Sequence, residues 1–225
     1  MHGFFFISYV AYVKIMLMFD FLIDPIVSLT KYVGEILPGA DLAVPILLVT
    51  LLSRAVMWPL SSKQNKLQAK IDALEDKVAR IKEQNKSDFM KRSEAITALY
   101  KQNGVNPLLM SVFGLVQLPI LLLLIAAFER TAEGSQFTIL AFAEASDASF
   151  IFAVFVGLTQ LAYSWLYTLR SSTANKIVFR YVLPLLITVL ASQFSAAVAW
   201  YWAVNNIVLT AQILIRRPHE HTNVS

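Results

Sequence analysis

Apolar residues along this chain fall into long runs broken by a single highly charged stretch, and this block pattern predicts most of the architecture. The run over 42–62, beginning LAVPILLVTLLSRAVMWPL, has the length of a bilayer crossing, for which about 20 residues cover about 30 Å of hydrocarbon. Leu108 to Phe128 (LLMSVFGLVQLPILLLLIAAF) predicts a second span, with one amide, Gln117, shortly before Pro119, which is expected to kink it. Phe150 to Leu169 predicts a third. Tyr181 to about Ser192 and about Ala196 to Ile215 predict two short ones folded back on each other at SQFSA. Ahead of these, Ile26, Val27, Leu29, Tyr32, Val33, Ile36 and Leu37 recur at helical spacing with Lys31 and Glu35 between them. That predicts an amphipathic helix lying in the interface, opened by Pro25 and ended by Pro38-Gly39. Gly3 to Ile23 is apolar but interrupted by Lys14 and Asp20, so the whole region 1–41 is read as interfacial, with an extra span over 3–19 as the alternative.

The charged stretch, 63–105, changes character completely. Leu67, Ile71, Leu74, Val78 and Ile81 are spaced four, three, four and three residues apart, a heptad seam. EQNKS at Glu83 to Ser87 interrupts it, with Ser87 the expected N-cap of a second helix whose apolar positions are Phe89, Ile96, Leu99 and Tyr100 and whose C′ residue is Gly104. Two helices joined by a short polar loop make an antiparallel hairpin. A solvated spacer is the plainer alternative, but a spacer needs neither an apolar seam nor paired lengths, so the hairpin reads as a docking or gating element. After it, 106–217 holds the four further spans, and 218–225 is a short tail.

Composition agrees: 57% of residues are hydrophobic and 15% charged, against roughly 45 to 50% apolar and about 25% charged in a soluble domain. The fold class is therefore all-α integral membrane. The net charge of +4 looks at first like a nucleic-acid signal, but the charges sit beside the spans, where topology control and lipid headgroup contact account for them. The stretch from Lys63 to Lys101 carries ten Lys and Arg against six Asp and Glu, Arg170 to Arg180 and Arg216-Arg217 are basic, and Glu129 to Asp147 is acidic. Five spans with the N-terminus outside and the C-terminus in the cytoplasm satisfy all these signs. Cysteine is absent, which excludes disulfides and thiolate chemistry, and His2, His219 and His221 lie only at the ends, so no metal site is expected. No nucleotide loop, GxSxG elbow or carboxylate cluster occurs in a span. The chain is expected to be no enzyme and to need no cofactor. No internal repeat is evident, so an inverted-repeat transporter has no support.

The candidate chemistry is one side chain, Arg54, set well inside the first apolar run. A cation at that depth costs about 3 kcal/mol on insertion scales, so it survives facing protein or water rather than lipid. No Asp or Glu lies in another apolar run to neutralise it, which favours a wet cavity over a buried ion pair.

The order of strings around it is specific: TLLSRAVMWPLSSKQ, then YKQNGVNPLL leading to VQLPI, then YWAVNN in the last span. From about Asp20 to Arg217 the chain resembles the YidC/Oxa/Alb family of membrane protein insertases. The resemblance implies five transmembrane helices around a hydrophilic groove open to the cytoplasm and to lipid, preceded by an interfacial amphipathic helix, in a bacterial plasma membrane. It matches Arg54 to the groove arginine, Gln117 to the polar residue of the second span, Trp202 to the aromatic of the last, and Asn205 and Asn206 to the family's amide pair. It implies nascent membrane proteins and the lipid bilayer as partners, leaves the ribosome and the Sec translocon open as further ones, and implies no direct nucleic-acid contact. A large periplasmic domain and a lipoprotein cysteine have no counterpart here, and the tail PHEHTNVS lacks a basic ribosome-binding extension. A small channel or transporter, or an assembly factor without insertase activity, are the alternative functions.

Overall fold

The computed structural model describes residues 19–37, 41–106, 108–170 and 176–215, without the side chains of residues 110, 111, 113–118 and 170. The N-terminal segment that would hold the extra span, and the tail, lie outside the described residues. Among the described residues eight α-helices follow one another: α1 (Asp20–Ile36), α2 (Ala43–Asp72), α3 (Glu75–Gln84), α4 (Phe89–Gln102), α5 (Leu108–Ala132), α6 (Phe150–Arg170), α7 (Leu183–Ala191) and α8 (Ala196–Ile215). Between α5 and α6 lies a two-stranded antiparallel ribbon, β1 (Thr138–Ile139) and β2 (Ala143–Glu144). A π-helical turn, Val178–Val182, leads directly into α7.

Among the described residues α2, α6 and α8 have the length and hydropathy to cross a bilayer. The other two expected spans coincide with α5, whose 25 residues suffice by length, and with the shorter apolar stretch Val178–Ala191. Both ends of the helical bundle are recognisable without reference to a membrane: one carries the ribbon, the other the charged hairpin. At the ribbon end the connections are stitched to the helix starts. Leu42 N–H donates to Thr138 O (2.9 Å), Ala196 N–H to Asp147 O (2.7 Å) and Ala197 N–H to Ala145 O (3.1 Å), so α2 and α8 begin at one level. The Trp200 indole N–H donates to Ala43 O (2.9 Å), fixing their relative register.

Among the described residues the apolar core fills the ribbon half. It is built from Leu42, Ile46 and Val49 of α2, Leu124, Ile125 and Phe128 of α5, Phe152 and Val156 of α6, and the start of α8. Lipid tails are as apolar as leucine, so close packing rather than water exclusion holds such helices together, and small residues permit it. Ala196, Ala197, Ala199 and Ala203 are all fully enclosed. Gly157 of α6 meets α7 so closely that a Cβ there would sit 2.0 Å from Thr188 Oγ1 and 3.2 Å from its Cβ. Threonine hydroxyls within the core are satisfied by their own helices, Thr50 donating to Ile46 O (2.6 Å) and Thr131 to Ala127 O (2.7 Å). Below Thr50 on α2 and below Asn206 on α8 no residue is buried until Ile71, which already belongs to the hairpin.

Two expectations about local structure are corrected. Pro25 does not open the N-terminal helix: α1 starts at Asp20 and carries Pro25 inside. The earlier start brings Asp20 and Asp24, one turn apart, to Arg130 at the end of α5, at 2.6 Å and 3.0 Å. With Ile23 packed on Ala126 and Ala127, and Gly34 beside Leu42 and Pro45, α1 lies across the ribbon-end rim from α5 to α2. The first arm of the hairpin continues out of the span. The helix α2 runs past Pro59, which has no N–H to donate to Ala55 O, on to Asp72, then breaks at Ala73-Leu74, where Leu74 N–H turns tightly back to Ile71 O (3.0 Å) before α3 resumes. Ser87 is not the N-cap of α4. Asp88 is, its backbone extended and its carboxylate accepting Lys91 N–H at 3.0 Å, because only that residue combines the non-helical φ/ψ with a side chain in reach of the first turn. Asp88→Ala is expected to cost about 1 kcal/mol of local stability, read as faster amide exchange over residues 89–92 with exchange in α8 unchanged.

Part of the hairpin seam is packed together. Ile71 and Leu74 form a small cluster with Val105, joined by Leu67, Leu99 and Tyr100; Val78 is buried and Ile81 half-buried. Gly104 takes φ +61° just past the end of α4, the left-handed geometry of a C′ glycine. The stretch Glu129 to Asp147, expected as a plain acidic loop, is partly helical and partly ribbon. Its tip holds Leu140 and Ala141, both at φ 54°. Left-handed backbone costs a non-glycine residue about 1 to 2 kcal/mol, and here Asp41 holds it in place: one carboxylate oxygen accepts Ala141 N–H (2.8 Å), the other Ala43 N–H (2.7 Å).

Candidate functional site

Arg54 lies about 16 Å along α2 from Ala43, and Asn205 about 14 Å along α8 from Ala196, at about 1.5 Å of rise per residue. Since both helices start at one level, the two side chains meet at the same depth, near the middle of a hydrocarbon layer about 30 Å thick. The Arg54 Nε–H donates to Asn205 Oδ1 at 2.8 Å, and an η nitrogen donates to the same oxygen. The phenols of Tyr163 on α6 and Tyr201 on α8 lie within electrostatic range of the guanidinium. Among the described residues Arg54 has no carboxylate partner in an ion pair, so its charge is hydrogen-bonded yet not neutralised. The side chain is half-buried, at the depth where the enclosed core of α2 has just ended at Thr50.

The amide pair divides its work. Consecutive helical residues point about 100° apart, so Asn205 faces α2 while Asn206 turns to α6, its Nδ2 3.4 Å from Thr159 Oγ1. Trp202 does not join Arg54. It is half-buried against the core nearer the ribbon end, with its ring 6.4 Å from that of Phe194. Gln117 lies within α5, and its side chain is outside the described part. Of the hairpin seam, Leu67, Ile71 and Leu74 belong to a small cluster that shares no residue with the bundle core, while Val78 and Ile81 lie outside it.

Several polar residues near the site were not singled out from the sequence. Gln160, Ser164 and Thr168 are buried at successive turns of α6, with Gln160 donating to Ser164 Oγ (3.2 Å) and Arg180 Nε to Thr168 Oγ1 (2.7 Å). The Arg180 guanidinium also stacks 4.4 Å from the centre of the Trp165 ring. A four-residue polar period inside an apolar run was the available signal. At the ribbon end, Ser195 donates to the Glu129 carboxylate, and Phe128 and Tyr201 pack ring to ring at 5.0 Å. No group of residues fit to hold a metal ion occurs among the described residues.

Long apolar helices, enclosed against one another at one end, define a helical integral membrane protein. Sequence comparison carries this further. The chain belongs to the 60Kd inner membrane protein family, whose family model matches residues 35–222. It is 30% identical over 207 residues to the membrane protein insertase YidC 2 of Bacillus anthracis, covering 88% of this chain and 81% of that one. It is likewise 30% identical over 206 residues to the membrane protein insertase MisCA of Bacillus subtilis (strain 168), covering 88% and 78%. In structure it is similar to an active YidC insertase resolved with its first transmembrane domain, with TM-score 0.68 and 21% identity over 93% of this chain; it spans about half of that chain, 51%.

Proposed function

We propose that this chain is a membrane protein insertase that guides hydrophobic segments of nascent proteins into a bacterial plasma membrane through a polar groove open at the hairpin end, without bond chemistry. The observation that carries it is the position of Arg54: a lasting positive charge, held by a neutral amide, at the depth where the buried core ends. A segment entering a bilayer must move a polar tail across hydrocarbon, at a cost of several kcal/mol for each polar group left unsatisfied. A cleft reaching to mid-depth halves that path, and an unneutralised guanidinium at its head attracts acidic or carbonyl-rich tails. The segment's apolar part then leaves sideways into lipid. Thr210, one turn beyond Asn206, has a buried hydroxyl without a hydrogen-bond partner among the described residues, a polar group left for a water or a passing polar tail to satisfy. The hairpin, with its basic excess, faces the cytoplasm in this reading, so the ribbon end and α1 face outward and the C-terminus inward. The hairpin is then the surface presented to a ribosome or a translocon.

Site-specific photocrosslinking to a stalled nascent membrane protein tests this. Probes at Leu209 and Gln212, half-buried one and two turns beyond Asn205 on its own face of α8, are expected to capture the nascent chain several times more strongly than a probe at Leu48, which is exposed on α2 in the packed half. Equal capture at all three positions, or capture at Leu48 alone, would exclude passage along this cleft.

A further inference from the structure

The tip of the ribbon combines features that the groove does not use. Leu140 and Phe142 are 52% and 73% exposed, while Ile139 beside them is sealed into the core. Leu140 and Ala141 hold left-handed backbone with no glycine to relieve it. The cause is visible in Asp41, which ties the Ala141 amide to the Ala43 amide at the first turn of α2, while Leu42 N–H holds Thr138 O. A strained turn kept in place by a dedicated carboxylate is a feature to be explained by what it presents. What it presents is two large apolar side chains at the level where α2 begins. Apolar side chains continue on both sides: Val44 and Leu48 on α2, and Tyr32 and Ile36 at the end of α1, all exposed. The helix faces among them are covered by lipid wherever α2 crosses the bilayer, so the tip stands at the edge of an interface already in place.

We propose that Asp41 and the left-handed pair hold Leu140 and Phe142 as a lipid anchor, seated in the headgroup and upper acyl region of the leaflet at the ribbon end. The anchor's partner is the lipid surface, recognised by apolar burial rather than charge: the only charged side chain on the ribbon, Glu144, is acidic and would repel anionic headgroups. The anchor fixes the depth of the α2 start, and with it the depth of Arg54. It depends on the chain spanning a bilayer and stands independently of whether Arg54 touches a client.

The full chain contains no cysteine, so nitroxide labels can be placed one at a time without background. In liposomes containing only the purified protein, a label at Phe142→Cys is expected to collide with molecular oxygen severalfold more than with an aqueous nickel chelate. Ser146→Cys, exposed in the same connection, is expected to show the reverse. Adding Asp41→Ala should raise nickel access at 142 severalfold, while a label at Leu48→Cys stays oxygen-accessible and so reports that the bundle remains inserted. Equal nickel access at 142 and 146 would overturn the anchor. So would protection of 142 that is present in native membranes and absent in protein-free lipid, since a protein would then be the partner.

Discussion

Arg54→Ala is expected to leave the chain folded and embedded, and to cut insertion of clients with acidic translocated tails about tenfold. The fold survives because Arg54 lies below the enclosed core, and its removal frees only the Asn205 amide, a neutral group, with Asn206 still bonded to Thr159. A charge-assisted hydrogen bond contributes about 1.5 to 3 kcal/mol, and losing the lower part of that from the passage of a tail corresponds to about tenfold in rate. Arg54→Lys keeps the charge but loses the planar two-nitrogen grip on Asn205, so it should recover part of the loss. Clients with uncharged tails should pass nearly unaffected. Complementation in cells depleted of their own insertase, scored with matched acidic and neutral tails, measures the ratio. Equal insertion of both tail types by the alanine variant would remove the guanidinium from the mechanism.

Gly157→Leu is expected to have the larger effect on stability, about 3 kcal/mol or more, at the upper end of the cost of overfilling a packed interior. Even a single Cβ at this position would press on Thr188, whose hydroxyl donates to Pro184 O at 2.8 Å and so cannot swing away without losing a partner. Gly157→Ala should therefore be milder, and adding Thr188→Ala should restore much of it, since the hydroxyl and the γ-methyl are both removed. The double change should not rescue leucine. Thermal unfolding of the purified chain in detergent gives the order: glycine, alanine with Thr188→Ala, alanine, leucine. A leucine variant as stable as the parent would show that α6 and α7 do not approach each other this closely.

How much of this was readable beforehand depended on the length scale of the signal. Long apolar blocks gave α6 and α8 nearly to the residue and the starts of α2 and α5, whose ends run on to Asp72 and Ala132, and the four-three spacing singled out Leu67, Ile71 and Leu74, which cluster in the hairpin. Both are periodic or cumulative patterns, which a misplaced residue hardly disturbs. Arg54 stood out because a guanidinium in an apolar run has few physical reasons to be there, but its partner did not. Asn205 and Asn206 are adjacent letters, and only the helix rotation shows that one meets α2 and the other α6. Single-residue choices were the weak point: Ser87 and Asp88 are both good N-caps in isolation, and backbone geometry decides between them. The ribbon was invisible because Leu140 and Ala141 are not turn formers; their conformation is imposed by Asp41, a long way off in sequence. Trp202 carries a family match but packs against Phe194 instead of the arginine, a tertiary fact that no local pattern encodes.

The confinement of the enclosed core to the ribbon half has a consequence for how such a chain can change over time. On α2 and α8, side chains that keep the bundle together and side chains that would greet a client occupy separate storeys. Substitutions along 207–215 of α8 or 51–58 of α2 can therefore alter which polypeptides are welcomed without threatening the scaffold, whereas the alanines of 196–203 admit almost no variation. Broad tolerance toward unrelated cargo is then a property the architecture permits cheaply, because the lower storey is not needed for holding up the upper one.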